Sequence, residues 1–341
     1  MELLSRRAEV AEEIGLVKAK DGLQIRDQWR EREVKATFVR NAIKLGVEKE
    51  LAAKLAALLI HDAVRVQKKE RMRSLRGRTA LVVGGSGKMG AWACRFLSCR
   101  GAHVLVWDPR GTLEGYESVK SVAKAAHDAD LVLIASPLGV AGKELRAVLK
   151  SSPRGLVFDL CSIKHHMTRE IMKAARRGVK ITSVHPMFGP SAASPRGRNV
   201  VVCRCGCPEA DRAVANLFIS SGAKVARIQL DRHDELMTYV LGLPHLCVLM
   251  FAETLLKSEV LIDDLRQVQG PSFDRLARSA VELSNESRRV YHDIQSLNPG
   301  TKRMIAGLEK GLAELKAAAL AEDPRAFRII MDRCEEHLKV S

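Results

Sequence analysis

The sequence predicts an α/β domain with a parallel sheet in the middle of the chain, flanked by an all-helical N-terminal segment and an all-helical C-terminal segment. Three observations lead to this fold class. Apolar residues recur at helical spacing in the first part, short apolar runs alternate with helical patterns in the middle, and helical patterns return from Asp231 onward. The 341 residues suffice for two or three domains. We set the domain boundaries at residues 1–74, 77–229 and 230–341.

The N-terminal segment is predicted to contain three helices. The first carries one apolar stripe, formed by Leu3, Val10, Ile14 and Val17. After a turn at Asp21-Gly22, a second helix is expected from about Asp27 to Leu45, and a third from Val47 or Glu48 to about Met72. The segment has few other residues with which to form a core, so we expect it to pair with a second copy.

A glycine-rich turn between a strand and a helix organises the middle of the chain. The apolar run Ala80–Val83 leads into Gly85-Ser86-Gly87-Lys88-Met89-Gly90, a helix follows, and a second strand ends at Asp108. This order of strand, G-x-G-x-x-G, helix, strand and acid is typical of a Rossmann-type dinucleotide-binding domain. We expect Gly85 to permit the tight turn, Gly87 to let the backbone approach a pyrophosphate, and Gly90 to allow close contact between helix and strand.

The same motif bears on the choice of cofactor. Asp108 is expected to hydrogen-bond the adenosine ribose hydroxyls and to repel a 2′-phosphate, which favours NAD over NADP. Arg110 follows two residues later and leaves a contact with a 2′-phosphate open. Ser136-Pro137, which follows a predicted strand at 131–134, joins the six residues of the glycine turn and Asp108 as a cofactor-binding candidate.

Two further loops carry candidate catalytic residues at the carboxyl ends of predicted strands, where open parallel sheets bind ligands. Ser162 and Lys164 follow the predicted strand Leu156–Asp159, and His185 follows a strand predicted at Lys180–Ser183. A loop histidine at the mouth of a dinucleotide fold can accept the proton of a hydroxyl group whose carbon loses hydride.

Composition limits the classes of function. A formal net charge of +16 raises nucleic-acid binding as an alternative, but only 4% of residues are aromatic and no nucleic-acid motif occurs, so the charge favours anionic small substrates. Cys203, Cys205 and Cys207 indicate a hairpin turn in a reducing compartment rather than zinc, and no metal site is predicted. Since no apolar run reaches membrane length and no signal-peptide core occurs, we expect a cytoplasmic protein without a membrane segment.

The N-terminal segment resembles the all-helical chorismate mutase family. The family motif RR-x-E-[LV]-A…IG-x-x-K…G-x-x-[IV]-x-D-x-x-RE is matched by Arg6-Arg7, Glu9-Val10-Ala11, Ile14-Gly15, Lys18, Gly22, Ile25, Asp27 and Arg30-Glu31. The resemblance implies that the carboxylates of chorismate are bound by Arg7, Lys18 and Arg30. It also implies that Lys18 and Gln67 bind the ether oxygen. Asp27 and Glu31 are implied to hold the substrate hydroxyl and the hydrogen-bond network around it. A pericyclic rearrangement needs such positioning and charge stabilisation rather than a covalent catalyst.

The rest of the chain resembles prephenate dehydrogenases, especially those fused behind a chorismate mutase. The family patterns D-L-x-S-[IV]-K and HPMFGP are matched by residues 159–164 and 185–190, and an L-P-H element by Leu243-Pro244-His245. The resemblance implies that neutral His185 accepts the hydroxyl proton of prephenate, with Ser162 bonded to the histidine or to the hydroxyl. Residues implied to line or bind the substrate are Lys164, His245 and Arg275, with Arg278 as the alternative to Arg275.

Together the two resemblances imply a bifunctional enzyme of tyrosine biosynthesis that forms a homodimer. It would rearrange chorismate to prephenate and oxidatively decarboxylate prephenate with NAD to 4-hydroxyphenylpyruvate. The alternative is a dehydrogenase of prephenate or arogenate alone, whose N-terminal domain serves only assembly or regulation.

Overall fold

The computed structural model describes residues 3–4, 6–7, 10–11, 14–15, 18, 26–72, 75–284 and 287–339, with the side chains of 68–72 left aside. The chain forms two compact units, Met1–Leu230 and Asp231–Ser341. Val17 of the predicted stripe, the turn predicted at Asp21-Gly22, and the motif residues Glu9 and Ile25 lie outside the described residues.

The N-terminal segment is helical where it is described. The described residues between 3 and 18 are helical, α1 spans Gln28–Lys44, and α2 spans Lys49–Met72. Asp27 caps α1, because its carboxylate accepts the backbone N–H groups of the second and third residues after it, at 3.0 Å each. Gly46 lies between the two helices with φ +81°, a left-handed conformation that glycine adopts without strain.

A five-stranded parallel sheet forms the core of the central region. Its strands are β1 (Thr79–Val83), β2 (His103–Trp107), β3 (Glu117–Ser118), β4 (Leu131–Ile134) and β5 (Leu156–Asp159), in the order β3-β2-β1-β4-β5. The helices that connect and cover them are α3 (Lys88–Ser98), α4 (Val122–Asp128), α5 (Leu138–Lys150) and α6 (His165–Arg176). Apolar residues on both faces bury β1 and β4. The strand order reverses between β1 and β4, which is where open α/β sheets bind ligands.

A second, three-stranded sheet follows, with β6 antiparallel to β7 and β7 parallel to β8. It consists of β6 (Ser183–Pro186), β7 (Asn199–Arg204) and β8 (Lys224–Gln229), and α7 (Pro208–Ile219) joins β7 to β8. The strand predicted at Lys180–Ser183 is therefore wrong by three residues, and His185 lies in β6 rather than in a loop. Pro186 can end this strand because β6 is at the edge of its sheet, where the missing N–H of proline is tolerated.

The closely spaced cysteines do not form a hairpin turn. Cys203 lies in β7, Cys207 is the residue before α7, and Gly206 between them has φ +88°, so the chain passes from strand to helix. All eight cysteines have free thiols. Within the described ranges, no group of His, Cys, Asp or Glu side chains is arranged to hold a metal ion.

The second unit is helical. Its helices are α8 (Leu230–Met237, which begins one residue earlier), a π-helical turn (Thr238–Gly242), α9 (Leu243–Lys257), α10 (Ile262–Gln267), α11 (Pro271–Ser284), α12 (Arg288–Ser296), α13 (Thr301–Leu320) and α14 (Arg325–Leu338). By length and composition alone, the continuous helix Leu230–Lys257 could cross a membrane. Thr238 and His245 interrupt its apolar residues, so the sequence contains no unbroken apolar run of membrane length here. Only 11% of the most apolar 18-residue stretch of this helix is buried. An exposed apolar surface of this kind is typical of a site that contacts another molecule.

Candidate active site

The carboxyl ends of the parallel strands form one edge of the central sheet, and candidate residues follow directly from them. The last residues of the paired strands, which mark this edge, are Trp107, Val83, Ile134 and Asp159. Asp108, Ser136 and Ser162 each follow within three residues of that row, as does the start of the glycine turn. The register of the sheet therefore brings these separate segments to one crevice edge.

The glycine turn is built for the close approach of a ligand. Gly84 has φ +84°, and a Cβ atom there would lie 2.6 Å from the Ser136 Oγ and 2.8 Å from its backbone. A Cβ at Gly85 would lie 2.5 Å from Val106 in β2, and one at Gly90 would lie 2.1 Å from the Gly84 carbonyl oxygen. The left-handed residue of the turn is thus Gly84, which the sequence analysis missed although it directly follows the strand, and not Gly85.

The turn leaves the N-terminus of α3 open to an anion. Gly87 is the cap residue of α3, and it offers no side chain to the first-turn N–H groups. Lys88 is exposed at the first helical position. Unpaired N–H groups and the positive end of the helix dipole favour a phosphate at such a position. Together with the glycine positions that no Cβ can occupy, this arrangement fits a dinucleotide pyrophosphate.

Gly90→Ala is expected to weaken NAD+ binding at least about tenfold and to lower the free energy of unfolding by about 1–3 kcal/mol. The added Cβ would lie 2.1 Å from a backbone carbonyl oxygen, so the turn itself must shift. Gly270→Ala is the control, since a Cβ there meets no atom within 4 Å. Calorimetric titration and denaturant unfolding measure both effects, and unaltered NAD+ affinity in Gly90→Ala would contradict the assignment of this turn.

Asp108 is engaged by protein groups on both carboxylate oxygens. Its Oδ1 accepts from the backbone N–H and Nε of Arg110 at 2.9 and 3.2 Å, and its Oδ2 accepts from Nη2 of Arg110 and from the Ser86 N–H, both at 3.1 Å. Burial opposes ionisation, but these bonds outweigh it and hold the pKa of Asp108 below its ordinary value. A ribose hydroxyl would therefore have to displace one of these donors, which the sequence analysis did not foresee.

Lys164 is the partner in a buried ion pair, which its prediction as a substrate-binding residue did not anticipate. The side chain has no exposed surface, and its Nζ donates to Asp159 Oδ1 at 2.6 Å and to the Val184 carbonyl oxygen at 2.7 Å. Burial lowers the pKa of Lys164, but the Asp159 carboxylate outweighs burial and the net pKa is raised. Lys164 thus ties the carboxyl end of β5 to β6, one residue before His185.

His185 lies at the same edge of the sheet as the glycine turn. A parallel bridge between Val157 and Ile181 aligns β5 with the segment that leads into β6. His185 is four residues beyond Ile181, and Asp159 is two beyond Val157, so His185 lies two residues past the edge marked by Asp159. The His185 side chain is 4% exposed, whereas Ser162 is half-buried.

The segment after His185 is held by the helix that starts at the glycine turn. The ring of Phe188 packs edge-on against Trp92 of α3, with centroids 5.2 Å apart. The Trp92 Nε1–H donates to the Ala192 carbonyl oxygen at 2.9 Å. α3 therefore contributes both to the candidate cofactor site and to the support of the HPMFGP segment. No sequence signal indicated this role for Trp92.

In the N-terminal segment, the structure brings Lys18 and Gln67 together. The Lys18 Nζ donates to Gln67 Oε1 at 3.4 Å across the two helices that carry these residues. Their crossing is close at Gly15, where a Cβ would lie 2.9 Å from the Gln67 Cα. Gly15 therefore permits the close crossing near this pair. The Lys18 charge also lowers the pKa of Glu31, although the hydrogen bond from Arg26 is the larger cause.

The other N-terminal candidates are more dispersed. Arg7 lines a cavity of about 430 Å³ whose other described lining residues are Leu4, Ala11, Leu58, Leu59, His61, Asp62 and Ala63. Arg30 forms an exposed ion pair with Glu33 at 2.5 Å, and Asp27 caps α1. Glu31 accepts two bonds from Arg26, each 2.9 Å long. Within one chain, therefore, the predicted chorismate-binding residues are only partly assembled.

The C-terminal candidates occupy the second unit. His245 packs edge-on against Tyr291 with ring centroids 4.5 Å apart, and burial lowers the pKa of the imidazole. Its Nδ1 is buried and has no hydrogen-bond partner in the part of the chain that the structure describes. Arg278 is bonded to Asp274 through two contacts of 2.9 Å, whereas Arg275 is exposed and has no side-chain partner among the described residues. Arg275 is thus the freer of the two arginines.

Three known domain families match this chain in consecutive order. They are chorismate mutase type II at residues 1–68, the nucleotide-binding domain of prephenate dehydrogenase at 113–203, and the dimerization domain of prephenate dehydrogenase at 229–333. A T-protein from Enterobacter agglomerans is 26% identical over 98% of this chain and 88% of its own length. A probable arogenate/prephenate dehydrogenase from Methanocaldococcus jannaschii is 27% identical over 76% of this chain. The present chain spans only 60% of the length of that relative.

Solved structures share the fold. Prephenate dehydrogenase from Aquifex aeolicus, solved with hydroxyphenyl propionate and NAD+, superposes with a TM-score of 0.61 at 19% identity, over 79% of this chain and all of that one. Arogenate dehydrogenase from Synechocystis gives 0.57 at 15% identity, over 76% and 98% of the two chains. The fold and the site thus define a Rossmann-type dehydrogenase that has a helical segment before it and another after it along the chain. The chain belongs to the fused chorismate mutase–prephenate dehydrogenases.

Proposed function

We propose that this protein is a bifunctional enzyme of tyrosine biosynthesis, which rearranges chorismate to prephenate and oxidatively decarboxylates prephenate to 4-hydroxyphenylpyruvate. The main support for the dehydrogenase activity is the strand register of the central sheet. In this register His185 and the glycine turn lie at the same edge of the sheet. The open N-terminus of α3 and the residues Gly84–Gly90 would hold the pyrophosphate of NAD. When bound, NAD+ supplies the hydride acceptor.

His185 is the proposed general base of the dehydrogenase. Its neutral imidazole accepts the proton of the ring hydroxyl while the carbinol carbon gives up hydride. The carboxylate on the opposite ring carbon then leaves as carbon dioxide, and the ring becomes aromatic. Ser162, half-buried at the end of β5, is proposed to hydrogen-bond the histidine or the hydroxyl. His245 and the freer arginine, Arg275, are proposed substrate contacts, and the basic surface favours approach of a dianion.

Steady-state assays with prephenate and with arogenate, each with NAD+ and with NADP+, test this function. We expect NADH and 4-hydroxyphenylpyruvate from prephenate with NAD+, identified by absorbance and chromatography. Turnover of arogenate to tyrosine without turnover of prephenate would overturn the proposed substrate. The absence of turnover with both substrates would overturn the dehydrogenase assignment.

The mutase half rests on the Lys18–Gln67 pair. Lys18 Nζ donates to Gln67 Oε1 at 3.4 Å, so the two side chains lie next to each other. We propose that Lys18 Nζ and the amide N–H of Gln67 both donate to the ether oxygen of bound chorismate as its bond breaks. Arg7, Arg30, Asp27 and Glu31 are proposed to bind the carboxylates and hydroxyl of chorismate. A rearrangement within one substrate needs no redox group from the protein, only a compact bound conformer and donors aimed at developing charge.

Lys18→Met is expected to lower the rate of prephenate formation from chorismate by about 10²–10³-fold, because one donor to the developing negative charge is lost. Dehydrogenation of added prephenate should be unchanged. Lys54→Met, at an exposed position of α2, is the matched control. If Lys18→Met formed prephenate at the wild-type rate, the N-terminal domain would not use the proposed site, and the alternative of an assembly domain would be favoured.

The second unit is proposed to form a homodimer in the cytoplasm. The helix Leu230–Lys257 exposes large apolar side chains, among them Tyr239, Val240, Leu249, Met250 and Leu256. Exposed large apolar side chains favour a subunit interface, and this region matches a dimerization domain. The eight free thiols are typical of a reducing compartment. Light scattering in buffer without detergent tests this: a dimer is expected, and a protein recovered only with membranes would contradict it.

A further inference from the structure

A second carboxylate, that of Glu144, lies near Asp108. Glu144 lies in the second turn of α5, the helix that begins directly after β4. Its side chain contacts the Ser136 hydroxyl and lies close enough to Asp108 and Arg110 for their charges to affect it. Glu144 is therefore close to the acid after β2, the residue expected to meet the adenosine ribose.

Glu144 has an unused acceptor there. Its Oε2 is buried and has no hydrogen-bond partner within the described ranges. Asp108, by contrast, already accepts four N–H donors, and its side chain is 1% exposed. A carboxylate oxygen that is buried without a partner is costly, and a ligand hydroxyl would satisfy it.

The charges around this point oppose a phosphate. Arg110 is the cation that would serve a 2′-phosphate, but Asp108 already neutralises it through a bidentate pair. Glu144 adds a second carboxylate, and its neighbour Lys143 is a cation whose charge also reaches it. Burial raises the pKa of Glu144 and the Asp108 charge adds to this effect, so another negative charge nearby would be opposed further.

We propose that Glu144 is a second specificity-determining residue of the dinucleotide site, accepting a ribose hydroxyl and, with Asp108, excluding a 2′-phosphate. Selectivity for NAD over NADP then depends on two carboxylates from separate segments, the residue after β2 and the second turn of α5. This inference rests on the proposed dehydrogenase function, since it assumes that the crevice binds a nicotinamide dinucleotide.

Calorimetric titration of the full-length protein with NAD+ and with NADP+ tests the inference without recourse to activity. In Glu144→Gln, the ratio of the NADP+ to the NAD+ dissociation constant should fall about tenfold, through tighter NADP+ binding, because one charge near the phosphate is removed. Glu144→Asp keeps the charge and should keep a ratio close to that of the wild type. Glu209→Gln, at an exposed position of α7, makes the same charge change away from the crevice and should leave the ratio unaltered.

The outcomes separate this inference from the function on which it rests. An unchanged ratio in Glu144→Gln, with tight NAD+ binding, would overturn the role of Glu144 alone. Failure of the wild-type protein to bind either nucleotide would overturn both this role and the dehydrogenase function. If Glu144→Gln does not fold, a wild-type ratio in Glu144→Asp supports the charge effect, and a ratio about tenfold lower in that variant overturns it.

Discussion

His185→Asn is expected to lower kcat for prephenate oxidation by about 10²–10⁴-fold, the contribution that a positioned general base makes to such a step. Asparagine can still hydrogen-bond the substrate hydroxyl, but it cannot accept the proton. NAD+ affinity should remain close to that of the wild type, because the proposed pyrophosphate site is the glycine turn and not β6. Stopped-time assays of NADH and calorimetric titration of NAD+ measure the two quantities separately.

The control for this variant is His103→Asn. His103 begins β2, so it lies at the amino edge of the same sheet, and it is exposed. A normal kcat in His103→Asn together with a loss in His185→Asn would locate the effect at the carboxyl edge. Normal turnover by His185→Asn would refute the proposed role of His185 as the base.

Lys164→Met is expected to lower the free energy of unfolding by about 3–5 kcal/mol, because it leaves the Asp159 carboxylate buried without its cation. Asp159 is 2% exposed, and its Oδ2 already lacks a hydrogen-bond partner within the described ranges. The bond to the Val184 carbonyl is lost as well, so β6 and His185 should be held less firmly. Denaturant unfolding measures the stability, and steady-state kinetics measure kcat and KM for prephenate.

The double variant Asp159→Asn/Lys164→Met distinguishes a structural ion pair from a substrate contact. Asparagine keeps an acceptor for the Cys161 N–H, which Asp159 binds at 2.9 Å, while it removes the unpaired charge. Much of the lost stability should therefore return. If Lys164 bound prephenate directly, the single variant would instead raise KM with little change in stability, and the double variant would not recover it.

The sequence predicted the parts of this fold that local chemistry determines. The strands and helices around Gly85–Gly90 follow from buried apolar runs and from glycine positions that exclude a Cβ. α1 and α2 begin and end within about two residues of the predicted positions, because Asp27 and Gly46 are strong boundary residues.

What the sequence could not predict depends on contacts between distant segments. Lys164 follows a strand at the ligand-binding edge, where a lysine is ordinarily exposed, and only the tertiary structure shows that its Nζ turns inward to Val184. The bonds from Arg110 to Asp108 and the approach of Glu144 from α5 likewise depend on how the strand ends are juxtaposed. His185 was assigned to a loop after a strand predicted at Lys180–Ser183, whereas the sheet pairing with β7 places it in β6.

Incubation of the purified protein with chorismate and NAD+ as the only additions tests whether this chain carries out both reactions. We expect NADH and 4-hydroxyphenylpyruvate to appear in equal amounts, because the dehydrogenase would consume the prephenate that the N-terminal domain makes. NADH from added prephenate but none from chorismate would contradict the claim that this chain unites both reactions, and no NADH from either substrate would contradict the account as a whole.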